Sequence, residues 1–165
     1  MKKSILLLTM IIGCIENDYI PYPIEERFID CPWSMKQNIL ASDMYQAAYA
    51  ETFLNNDYDG IEVPMNSVFV ECKEGVSFTT VWVEDGREYD MYGFTQSRTL
   101  IEINTPESLM IGDSTFFHEM THVTLWYLSN EPDPDHEEEK YSGWTKKHNE
   151  MIQNLQQEMR VIYGS

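Results

Sequence analysis

Two histidines separated by three residues enclose a carboxylate in the run His118-Glu119-Met120-Thr121-His122. On a helix, residues four apart share a face, so both imidazoles can reach one divalent ion. Glu119 then projects beside that ion, where it can take a proton from a coordinated water and pass it to a leaving amine. The pattern points to zinc, which lowers the pKa of its water toward neutrality. A catalytic zinc also needs a third protein ligand and an open position. His148 is the leading candidate, because a ligand on a second packed helix is better held than one on a loop. His136, with the acids around it, and Glu150 remain alternatives.

The elements that must position these residues can be read from periodicity. Ser34 offers an N-cap, and Met35, Ile39, Leu40, Met44, Ala47, Ala48, Phe53 and Leu54 follow at roughly helical spacing, which predicts a helix over about 35–54. From 61 to 104 the composition shifts to β-branched and aromatic residues, with turn signals at Lys73-Glu74-Gly75 and Glu84-Asp85-Gly86-Arg87. This predicts a small antiparallel sheet of three or four strands. Its last strand, Leu100-Ile101-Glu102-Ile103-Asn104, alternates and runs toward the motif. Asp113 or Ser114 caps the motif helix, whose apolar positions include Phe116, Phe117, Met120, Val123 and Leu125. An acidic loop over about 130–139 precedes a final helix over about 142–162 carrying Trp144, Met151, Ile152, Leu155 and Met159. The expected class is α+β.

This order of elements resembles the SprT-like minimal zincins, a minigluzincin-type group of metallopeptidases. The resemblance spans roughly residues 35–160 and is sharpest at the five-residue motif. In that group the third ligand is a His followed by Gly and, four residues on, an aromatic; His148, Asn149 and Ile152 occupy those places here. The resemblance implies a zincin-like fold, a bound zinc ion and Glu119 as general base. It also implies an edge strand that pairs with an extended peptide substrate, a role that Leu100, Ile101, Glu102, Ile103 and Asn104 are placed to take.

The N-terminus suggests where the activity operates. Lys2 and Lys3 precede a short apolar stretch, Ile5 to Ile12, too short to span a bilayer. It ends in Ile11-Ile12-Gly13-Cys14, which resembles the bacterial lipobox. Residues 1–13 therefore read as a lipoprotein signal peptide, 14–33 as a tether and irregular lead-in, and 34–165 as the peptidase domain. A lipid on Cys14 would anchor the exported protein to a bacterial cell membrane, the outer one if the host has two. The chain carries a net charge of −17, or −19 once the two lysines of residues 1–13 are removed. Such a surface repels phosphate backbones, which argues against nucleic acid as a partner and leaves peptide or protein as substrate. Outside the cytoplasm, Cys31 and Cys72 form the remaining even pair, and a disulfide between them would stabilise the fold by about 3–4 kcal/mol. The competing reading is a surface lipoprotein that binds a partner without catalysis, its metal structural or absent.

Overall fold

The computed structural model describes residues 22–57, 64–73, 78–81, 88–104, 114–129 and 143–163. Five helices and six strands lie within them: α1 (Ile24–Arg27), β1 (Phe28–Ile29), α2 (Met35–Phe53), α3 (64–67), β2 (Phe69–Cys72), β3 (Phe78–Val81), β4 (Glu88–Met91), β5 (Gly93–Ser97), β6 (Leu100–Ile103), α4 (Thr115–Ser129) and α5 (Lys146–Tyr163). The fold is α+β, with a four-stranded mixed sheet ordered β1-β2-β6-β5 and a separate antiparallel pair, β3-β4. Residues 1–21, including the signal segment and Cys14, and the acidic loop with His136 lie outside the described residues.

The first long helix starts where a cap forces it to. Ser34 Oγ accepts from the Gln37 amide at 3.3 Å, and Gln37 Oε1 accepts from the Ser34 amide at 2.9 Å. This reciprocal box satisfies two amides that a helix start leaves without partners. The helix ends at Asn55 and Asn56, both at positive φ, a conformation that asparagine tolerates better than most residues.

The sheet departs from the antiparallel expectation. β1 and β2 run parallel, as do β2 and β6; only β5 and β6 are antiparallel within this sheet. Alternation of apolar residues reports which face a strand buries, not which way its neighbour runs. β1 also belongs to a stretch expected to be irregular, so Phe28 and Ile29 extend the sheet into the lead-in. Cys31 follows directly and is disulfide-bonded to Cys72 at the end of β2, with Cα atoms 4.9 Å apart.

β6 is not an edge strand. It is hydrogen-bonded to β2 on one side and β5 on the other, so Leu100–Asn104 cannot accept an added strand. The described edge beside the motif helix is β5, which carries a β-bulge between Thr95 and Ser97.

One sheet face meets the helices. Val70 and Cys72 align with Ile101 and Ile103, and Gly93 and Thr95 align with Ile103 and Ile101, so these positions share that face. Ile101 and Ile103 are fully buried beneath α4 residues such as Phe117, Met120 and Val123. Phe28 joins the same layer, its ring 5.9 Å from Phe116. Helix α2 is locked to α4 through Tyr45, whose hydroxyl lies 3.2 Å from the hydroxyls of both Thr121 and Thr124. Those two hydroxyls donate to the carbonyls of Phe117 and Met120, which leaves the single Tyr45 proton to be shared between them. On the opposite sheet face, buried Glu102 forms an ion pair with Lys73. No helix among the described residues is long and apolar enough to cross a membrane.

Candidate metal centre

Helix α4 carries His118, Glu119 and His122 together. The two imidazole centroids are 5.0 Å apart, as expected for residues four apart on one helical face. His122 is buried and His118 partly so. The Trp144 indole, at the entrance to α5, packs against both, with centroid separations of 5.1 Å and 4.9 Å. Trp144 Nε1 donates to Asn149 Oδ1 at 2.9 Å, which fixes the indole to the first turn of α5.

Glu119 lies on the neighbouring side of the helix, against strand β5. Thr95 Oγ1 is 2.7 Å from its Oε2. Gly93 passes so close that a Cβ there would sit 3.0 Å from Glu119 Cγ and 3.1 Å from its Oε1. Only 5% of the Glu119 surface is exposed. Burial raises its carboxyl from 4.5 to about 7, against the opposing effect of the Thr95 hydrogen bonds. A carboxyl that exchanges its proton near neutrality suits general acid–base work.

His148 is not brought to the pair. It is the third residue of α5, and its Nδ1 accepts from the Thr145 amide at 3.0 Å. It thus serves α5 as Gln37 serves α2. A nitrogen that accepts from an N–H is unprotonated, so in the neutral ring Nε2 carries the hydrogen. Nε2 lies 3.5 Å from the Tyr49 hydroxyl. The ring also stacks on Phe53, centroid to centroid 4.0 Å and 16° from parallel. Burial lowers its pKa from 6.5 to about 4. One nitrogen is committed to the backbone and the other is protonated, so neither lone pair is available to a metal in this arrangement. The structure thus places His148 as a helix cap and does not bring it into a metal-holding group with His118 and His122.

Glu150 is also placed elsewhere. Its side chain is exposed and forms an i,i+4 pair with Lys146 at 3.5 Å. Among the described residues, no group of three or more His, Cys, Asp or Glu is arranged to hold a metal ion. His118 and His122 lie side by side on one helical face, and the described residues bring no third His, Cys, Asp or Glu into a metal-holding group with them. His136 lies outside them.

Thr95 and Gly93 escaped the sequence reading. Both sit in a short strand with no recognisable motif, and their approach to Glu119 depends on strand β5 packing on α4. Asn149, standing where the zincin pattern has Gly, has its own use as the acceptor for Trp144. No protein-family model, curated protein or solved structure matches the chain, so any assignment rests on its own residues.

Proposed function

We propose that the protein is a zinc-dependent peptidase of zincin type, with His118 and His122 as metal ligands and Glu119 as general base. The observation that carries this reading is a buried carboxylate, shifted to about 7, on the same helical turn as two adjacent imidazoles. Zinc held there by His118 and His122 would supply Lewis acidity toward water and the scissile carbonyl. Glu119 would accept a proton from the attacking water and return it to the departing amine. The third ligand is assigned to 130–142, with His136 the foremost donor, because His148 and Glu150 are engaged elsewhere.

An extended peptide is best received on β5. Its outer edge faces away from β6 and, among the described residues, pairs with no other strand. Such an edge offers backbone donors and acceptors to an added strand. Tyr92 and Phe94, both exposed, lie along it as apolar contacts for substrate side chains.

The proposal includes export and a lipid on Cys14, supported by the lipobox-like run Ile11-Ile12-Gly13-Cys14. The Cys31–Cys72 disulfide suits an oxidising compartment. Cys14→Ser is expected to move the protein from the membrane to the soluble fraction, and unchanged membrane association would contradict the anchor.

The second reading, a partner-binding lipoprotein without catalysis, draws support from Trp144, which is almost fully buried against both imidazoles. The two readings part at Glu119. Glu119→Gln should retain zinc and lose cleavage of a mixed peptide library. Should the zinc-loaded native protein cleave nothing in that library, the binding reading replaces the enzymatic one.

A further inference from the structure

We propose that Thr95, on the edge strand, is the positioning residue for the Glu119 carboxylate, and that Gly93 leaves the space its second oxygen needs. This inference rests on the peptidase reading and assigns parts to two residues outside the motif. A glutamate side chain has three rotatable bonds, so a helix alone does not specify where its oxygens point. Here strand β5 supplies the missing constraint.

The Thr95 hydroxyl lies 2.7 Å from Glu119 Oε2 and 3.1 Å from the Glu119 carbonyl oxygen. It has one proton to donate, and the shorter, charge-assisted bond is the one to the carboxylate. Threonine is β-branched, so its χ1 is restricted, and the direction of Oγ1 follows from the strand backbone. Thr95 is itself aligned with the fully buried Ile101 of β6, which fixes its height over α4. The sheet core therefore sets the position of Oε2.

Gly93 completes the seat. A Cβ at this position would lie 2.6 Å from Thr115 Cγ2, closer than carbon atoms approach one another, as well as 3.0 Å from Glu119 Cγ and 3.1 Å from Oε1. Any side chain there would drive the carboxylate off its place or push α4 away from β5. With Oε2 held by Thr95, Oε1 is left as the oxygen that would receive the proton of the attacking water. Positioning of this kind favours turnover more than binding, because it shortens the search for the reactive geometry without adding a contact to substrate.

The test uses metal-free protein with glutamate carboxyl carbons labelled by 13C. The Glu119 resonance is assigned by its disappearance in Glu119→Gln. At a single fixed pH, Thr95→Val is expected to move that resonance and Thr95→Ser to leave it near its native position. With zinc restored, Thr95→Val should lower kcat by about tenfold or more while KM changes by less than about twofold, and Thr95→Ser should recover most of the rate. A resonance unmoved by Thr95→Val overturns the proposal, as does an undiminished kcat. If the zinc-loaded native protein cleaves no peptide, the peptidase reading fails on its own, while the resonance still decides whether Thr95 seats the carboxylate.

Discussion

His118 and His122 on α4 and His148 on α5 all pack against a single indole. Trp144 lies 5.1 Å, 4.9 Å and 5.8 Å from their ring centroids. Their settings nevertheless differ in kind. His148 closes the first turn of its own helix through Nδ1, stacks on Phe53 and is held neutral by burial. The α4 pair stands on one helical face beside a carboxylate that burial has brought to about 7. Proximity and residue type leave the two settings alike. What marks His148 is that its Nδ1 accepts a backbone hydrogen, and a lone pair so used is not available for a metal.

Metal content gives the sharpest contrast between the two settings. His118→Ala and His122→Ala should each reduce zinc from about one per chain to near none, because two remaining donors hold the ion poorly. His148→Ala should keep its zinc wherever it stays folded. Loss of zinc from a folded His148→Ala protein would place His148 at the metal and dissolve the distinction.

Stability should respond in the reverse order. His148→Ala removes a buried ring and a helix cap, and is expected to cost about 2–4 kcal/mol in urea denaturation. His148→Gln should recover about 1 kcal/mol of that, since glutamine fills the same capping place in α2. Equal losses for Ala and Gln would show that the cap contributes little.

Acid should separate the settings further. His148 titrates near 6.5 when unfolded and near 4 in the fold. Its contribution is whole above about 6.5 and drains as pH falls toward 4, because the unfolded chain takes up the proton first. In metal-free protein Glu119 works with the opposite sign, its contribution present below 4.5 and lost as pH rises through about 7. The difference between native and His148→Gln isolates the histidine. That difference should shrink as pH falls from 6.5 to 4, and a constant difference would contradict the assignment.

The smallest effect is expected at Asn149. Asn149→Ala leaves the Trp144 Nε1 donor without its acceptor and should cost about 1 kcal/mol. The indole emission should shift with it if Trp144 is held against the pair by this bond. An unchanged spectrum would mean that packing on the imidazoles holds the ring without help from Asn149.

Legibility followed the range of the interactions. The α2 cap was readable because Ser34 and Gln37 are three apart, and the motif helix because its apolar positions and two histidines repeat within one turn. Strand positions were mostly visible, whereas the order β1-β2-β6-β5 was not. The assignment of Leu100–Asn104 to an edge failed there: alternation told which side chains face the core, and nothing local told which neighbours a strand has. The setting of His148 was hidden for another reason. Its spacing from the motif and its helical setting suited a ligand, while the Thr145 amide, Phe53 and Tyr49 that claim it come from a helix start and a second helix.

The amino-acid order alone determined what repeats over a few residues: the helical face carrying His118 and His122, the Ser34–Gln37 cap and the net negative charge. Tertiary packing decided the rest. It moved the available edge to β5, set Thr95 and Gly93 against Glu119 and packed the His148 ring on Phe53 and Tyr49. The physical reason is that a helix face closes on neighbours three and four residues away, whereas strand order and a side chain's final partner depend on contacts between segments far apart in the chain.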